Sequence, residues 1–318
     1  MARLNTEGVL PNATAPAVIE PFSTTVTNAS TSPRWSNLRA ILSSKEQKLY
    51  FSASLSPRTS QIKCVRRDCI VESPIEIQEH SMNGEHRDRQ DLSVLFVLTS
   101  HARKGSTGEP TGFYLGEVTH PLAELDAAGI PVEFASIQGG EPPVDGLDLD
   151  DEINARYWSD AAFRDALRHT QRLGDVDASK YAAVFFAGGH GAMWDFPRNA
   201  DVEKVTRTIY EAGGVVGAVC HGPAALVDVK FDDGTYLVAG KNLSAFTDEE
   251  ERAVQLDRVV PFLLASTLRQ RGALHDPAPN WTAKVVVDGR LVTGQNPQSA
   301  SGVGAAMRHL LLTRSRQA

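Results

Sequence analysis

From residue 91 onward the chain alternates short apolar runs with amphipathic stretches, and no other feature restricts the fold as strongly. Residues 92–98 (LSVLFVL) are apolar at almost every position, as a strand buried on both faces requires. Residues 112–128 read as a helix kinked or broken at Pro121, and 131–135 (PVEFA) as a second strand. The acidic stretch from Asp145 to Glu152 reads as loop, and 159–172 as a helix with Ser159 as its N-cap. Residues 181–187 (YAAVFFA) read as a strand, 201–212 as a helix and 215–219 as a strand running into Cys220. A hairpin follows, with 284–287 and 290–293 joined across Asp288-Gly289 as a type I′ turn, and then a last helix over 300–312. This alternation specifies an α/β domain: a doubly wound, mostly parallel sheet with helices on both faces.

Residues 1–90 have a different character. Segments such as 28–33 (NASTSP) and 52–57 (SASLSP) show no sustained periodicity, and 79–90 is almost wholly polar. Such composition buries too little apolar surface to offset the entropy of ordering. A disordered N-terminal extension is expected over 1–90, with at most a short helix over 35–42, and the domain proper over 91–314. Cys64 and Cys69 lack a second Cys/His pair at metal-binding spacing, so no metal is expected, and three cysteines do not make a disulfide framework.

The net charge of −7 argues against nucleic acid as a partner, since phosphate backbones are met by basic surfaces. No apolar run approaches the roughly 18 residues of a membrane span. The first residues lack the apolar centre of a secretory signal, which points to the cytoplasm and leaves the triplets at Asn12 and Asn28 without meaning. The Ser/Thr-rich, acid-poor first 60 residues keep an organelle transit peptide as the alternative.

Chemistry concentrates at residues 218–223 (AVCHGP). A strand ends at Cys220 and a helix begins directly after it, with Pro223 suited to the first turn. This is a nucleophile elbow: the residue at the bend takes a strained backbone, so its neighbours two before and two after must be small. Here they are Ala218 and Gly222. A thiol at a helix N-terminus is expected to have a lowered pKa and more thiolate, which is the nucleophile. A second Gly-rich element, 186–191 (FAGGHG), also follows a strand. Gly188 and Gly189 would let backbone amides approach a substrate oxygen as an oxyanion hole requires. His190 could contact substrate or bond within the loop.

Five motifs resemble one known group: AVCHGPAAL at 218–226, AGGHGAMWDFP at 187–197, TGFYLGEVTHPL at 111–122, LSAFTDEEE at 243–251 and VTGQNPQSA at 292–300. Together they look like the ThiJ/PfpI superfamily, in its glyoxalase III and heat-inducible chaperone branch. The resemblance implies a flavodoxin-like, class I glutamine amidotransferase-like fold over 91–314, often dimeric, and implies nothing for 1–90. It further implies a cofactor-free, cysteine-dependent lyase that takes a small 2-oxoaldehyde. Methylglyoxal would go to D-lactate without glutathione, as in a D-lactate dehydratase. A protein deglycase or a stress-induced holdase is the alternative within the family.

Carried over by position, the resemblance makes Cys220 the nucleophile and His221 its proton-transfer partner. The acid orienting His221 falls within Asp248-Glu249-Glu250-Glu251. Thr247 looks like an N-cap whose capping box Glu250 completes, while Asp248 and Glu249 suit the positive end of the helix. Glu251 is left, and the family pattern places the acid there too. The resemblance also sets a carboxyl, Glu117, beside the cysteine; apolar Leu115, Val118 and Leu122 suggest that it faces inward. Asn296 and Ser299 match a loop near the site, where a structural turn is the expected role. Among rivals, an amidotransferase would need a His-x-Glu motif, which none of the nine histidines makes. A cysteine hydrolase would use a late histidine such as His275 or His309.

Overall fold

A computed structural model describes residues 92–314 throughout and, ahead of them, the backbone of strands Thr24–Thr25, Leu38–Ser44, Gln47–Ser56 and Thr59–Lys63. Those four strands pair antiparallel in chain order within a unit separate from the main one. Leu38–Ser44 is strand where a short helix is expected over 35–42. The missed signal is a period-two pattern in 48–55, where Leu49, Phe51, Ala53 and Leu55 alternate with Lys48, Tyr50, Ser52 and Ser54. The rest of 1–90, with Cys64, Cys69, Asn12 and Asn28, lies outside the described residues.

In the main unit seven strands form one sheet. They are β1 (Val94–Leu98), β2 (Val132–Ser136), β3 (Gln171–Arg172), β4 (Ala183–Phe186), β5 (Val215–Val219), β6 (Val285–Asp288) and β7 (Leu291–Gly294). The spatial order is β6-β7-β5-β4-β1-β2-β3, with every pairing parallel except that of β6 with β7. Alternation of side chains across a strand explains why β1 is apolar throughout. Val94, Phe96 and Leu98 enter one buried cluster, while Leu95 and Val97 enter the other. The first cluster is closed by α1 (Gly116–Asp126), α2 (Glu152–Ser159), α3 (Ala161–Arg168) and α6 (Ala300–Arg314). The second takes Val202, Val205 and Ile209 from α4 (Ala200–Glu211), capped by Asn199.

Several boundaries differ from expectation. Pro121 lies inside α1 without ending it, and the helix begins only at Gly116, after the short strand Phe113–Tyr114. Residues 159–172 do not start a helix at Ser159: that residue ends α2, and Asp160 caps α3 by accepting from the Ala162 N–H. The hairpin pairs Asp288 with Leu291, so its turn residues are Gly289 and Arg290. Only Gly289 of the two has positive φ, 59°, which suits a type II′ turn and not the type I′ expected. Among the described residues no helix is long and apolar enough to cross a membrane.

Candidate active site

Parallel strands converge their following loops on one sheet edge, and β4 and β5 bring their loops there side by side. Cys220 follows β5 directly with φ of 59°, the left-handed region that a non-glycine residue seldom occupies. Two hydrogen bonds pin this backbone: the Cys220 N–H donates to the Gly294 carbonyl, and its carbonyl accepts from the Phe246 N–H, each at 2.9 Å. The chain then turns into a 3₁₀ segment, Gly222–Leu226, with Pro223 near its start. A Cβ on Gly222 would lie 2.1 Å from the Phe186 carbonyl oxygen, so the elbow needs glycine there.

His221 lies beside the thiol, with Nδ1 at 3.3 Å from Cys220 Sγ. Its Nε2 is 2.9 Å from Glu251 Oε2, and the Phe246 ring covers it at 4.4 Å. Burial alone would raise the Glu251 pKa. The adjoining His221 and His190 outweigh it and hold the carboxyl at about 2. An ionised carboxylate only accepts, so Nε2 of His221 carries the ring proton and Nδ1 faces the thiol as an acceptor.

The four acids of α5 (Asp248–Ala253) have four different surroundings. Glu250 and Thr247 form the expected capping box. Glu250 Oε1 also accepts from the Trp281 N–H, Gln295 Nε2 and Asn296 Nδ2 at 2.9–3.0 Å. Ser299 Oγ donates to Asn296 Oδ1, so the 294–299 loop serves to fix α5. Asp248 accepts from Ser266, Glu249 pairs with Arg252 at the surface, and Glu251 alone meets the histidines. His190 joins it: its Nε2 is 2.9 Å from Glu251 Oε1, and its ring lies 4.1 Å from that of His221. His190, 17% exposed, is the member of the trio that reaches solvent. Burial, and then the charge of His221, lower its pKa.

Glu117, the second residue of α1, is fully buried. A Cβ on Gly188 would meet Glu117 Oε2 at 2.3 Å and Cys220 Cβ at 2.9 Å, so the carboxyl and the thiol crowd one glycine. Neither Glu117 oxygen has a partner at good hydrogen-bonding geometry. Burial pushes its pKa up to about 8, although the nearby Cys220 thiol and Gly188 amide favour the ionised form. The same burial, and next the charge of Glu117, push the Cys220 thiol well up. The expectation of a thiol pKa lowered by a helix N-terminus is therefore corrected. A five-residue 3₁₀ segment carries little dipole, and loss of water dominates.

Of the two glycines expected at an oxyanion hole, Gly188 turns its amide toward Glu117 and its carbonyl to the Tyr114 N–H. Gly189 has φ of 102° and packs against Gly112. Two nearby residues escaped sequence reasoning. The Tyr114 hydroxyl pKa is raised by burial and then by the charges of Glu117, Asp148 and Cys220. Trp281 is exposed, with its ring 5.8 Å from Phe246. Tyr114 stood within a quoted motif, but nothing in the sequence around Trp281 marked it. The late histidines of the hydrolase alternative do not serve Cys220: His275 Nε2 bonds the Ala245 carbonyl, and His309 is exposed on α6. His190, His221 and Glu251 offer three ligand atoms within 4.8 Å of one another, a cluster that no local spacing betrays.

Comparison with known proteins gives a consistent picture. The model of the DJ-1/PfpI family matches residues 110–307. Glyoxalase 3 of Candida albicans is 33% identical over 221 residues, covering 66% of this chain and 94% of the relative. Glutathione-independent glyoxalase HSP31 of Saccharomyces cerevisiae is 34% identical over 222 residues, covering 65% and 92%. The crystal structure of the Rapid Encystment Protein of 24 kDa from Francisella tularensis superposes with a TM-score of 0.68 at 39% identity, covering 69% of this chain and 99% of that one.

Proposed function

The chain belongs to the DJ-1/PfpI family, and from that premise we propose that it is a glutathione-independent glyoxalase acting on methylglyoxal and related 2-oxoaldehydes. The observation that carries this reading is that Cys220 has both a buried, proton-retaining Glu117 and the His221 imidazole beside it. A hydrolase needs a nucleophile and one base. An isomerising site needs a second proton carrier at the carbon that is attacked, and Glu117 supplies one.

Cys220 Sγ attacks the aldehyde carbon, forming the C–S bond while the thiol proton passes through His221 Nδ1 to the former carbonyl oxygen. Glu117 gives its proton to the neighbouring ketone oxygen and, as the carboxylate so formed, takes the hydrogen of the hemithioacetal carbon, which gives an enediol. Glu117 then returns that proton to the second carbon and takes back the hydroxyl proton of the sulfur-bearing carbon, which yields a lactate thioester. Water cleaves it, releasing lactate and the thiol. One carbon is oxidised as its neighbour is reduced, so methylglyoxal and water balance lactate with no external redox partner. A proton held by Glu117 also lowers the repulsion a thiolate would otherwise meet.

The test is methylglyoxal consumption by the purified chain without glutathione, with lactate resolved by chirality. D-lactate from the parent and none from Cys220→Ser supports the reading. No lactate from the folded parent overturns it.

A further inference from the structure

The cluster of His190, His221 and Glu251 can serve a second purpose besides orienting the imidazole. We propose that it is a binding site for a divalent cation of the zinc class, and that an occupying cation switches the cysteine site off. Two imidazoles and one carboxylate match the donor preference of zinc and cobalt(II), with a water as fourth ligand. All three ligand atoms already lie within 4.8 Å of one another. Each histidine Nε2 sits 2.9 Å from its own Glu251 oxygen. A tetrahedral ion with bonds of about 2.0–2.1 Å holds its ligands about 3.3 Å apart, so a small outward shift suffices. His190 can supply that shift, being the one ligand with a solvent-facing side, which also gives the ion its way in.

The consequence lies in the His221 ring. A cation on Nε2 displaces the ring's single proton from that nitrogen, and the neutral ring carries it on Nδ1 instead, facing Cys220 Sγ at 3.3 Å. In that tautomer Nδ1 can no longer accept the thiol proton. This inhibitory consequence rests on the glyoxalase reading; occupancy of the site does not.

The experiment titrates cobalt(II) into the untagged full chain and its Cys220→Ser, His190→Gln and Glu251→Gln variants, following visible ligand-field absorption, with zinc as competitor. The parent and Cys220→Ser should develop the same four-coordinate band, saturating at one equivalent, without a thiolate charge-transfer band. His190→Gln, altered at the partly exposed ligand, and Glu251→Gln should each weaken binding by more than the roughly tenfold that loss of a supporting residue costs. No band in the folded parent overturns the site. A band lost in Cys220→Ser but kept in His190→Gln also overturns it, because the metal would then sit on the thiol. In parallel, zinc should stop lactate formation in proportion to occupancy, and a chelator should restore it. Undiminished turnover at full occupancy overturns the switch. A metal-free parent that makes no lactate defeats the glyoxalase reading instead, while the cobalt spectrum still decides the site.

Discussion

His221 Nε2 meets Glu251 Oε2 at 2.9 Å with both side chains almost wholly buried, and this contact fixes which ring nitrogen faces the Cys220 thiol. A carboxylate that only accepts leaves Nδ1 as the base toward Cys220. Glu251→Gln keeps the shape and removes the charge, and its amide can present a donor to Nε2. Its kcat should fall by about a hundredfold or more, the scale on which a positioned acid–base group contributes. Unchanged far-ultraviolet circular dichroism would show that the fold is kept. A kcat close to the parent's would remove Glu251 from the catalytic account.

The same contact has a signature in stability. Glu251 titrates at about 2 in the fold against an ordinary value of 4.5, so the folded state favours its ionised form. The stabilisation is complete above pH 4.5 and is lost as pH falls toward 2. The parent should therefore lose melting temperature across that window faster than Glu251→Gln. Parallel curves for the two would contradict the ion-pair assignment.

Glu117 behaves in the opposite sense. Its pKa is raised to about 8 in the fold, so the protonated form is preferred and the associated stability is present below pH 4.5. It is lost as pH rises through 8. Glu117→Gln cannot ionise, so it should match the parent near pH 4.5 and melt a few degrees higher at pH 9. A constant difference at all pH values would mean that Glu117 is not held protonated by burial.

Gly222→Ala tests the elbow sterically. Its Cβ would lie 2.1 Å from a backbone carbonyl oxygen, which cannot swing aside as a side chain can. Denaturant unfolding should show a loss of about 1–3 kcal/mol, the usual cost of overpacking. An unchanged midpoint would show that the turn after Cys220 is looser than described.

How far the sequence carried varied with the range of the forces involved. β5 was legible to the residue, because an uninterrupted apolar run ending in Cys-His-Gly-Pro is a local pattern. Glu251 could be chosen from four acids because the family resemblance places the acid there and a capping box consumes Glu250 locally. The bond from His190 to the same carboxylate spans 61 residues and left no periodic trace. The start of α1 at Gly116 and the rise of the Cys220 pKa were hidden for a related reason. Both depend on what packs around the segment: Phe113–Tyr114 pairs with Val144–Asp145, and the thiol is cut off from water. Strand at Leu38–Ser44, where a short helix is expected, is hard to read because serine and threonine obscure a period-two pattern that depends on few large residues.

In the proposed reaction Cys220 and Glu117 divide the labour: the thiol makes the bond to the aldehyde, and the carboxyl moves the proton that follows. Intact-mass and peptide analysis of Glu117→Gln after brief exposure to methylglyoxal tests both halves together. Attack should still occur while proton transfer stalls. The expected result is an adduct of one methylglyoxal on the Cys220 peptide of Glu117→Gln, little lactate, and no such adduct in Cys220→Ser. Parental turnover by Glu117→Gln, or an adduct that forms equally without Cys220, would contradict it.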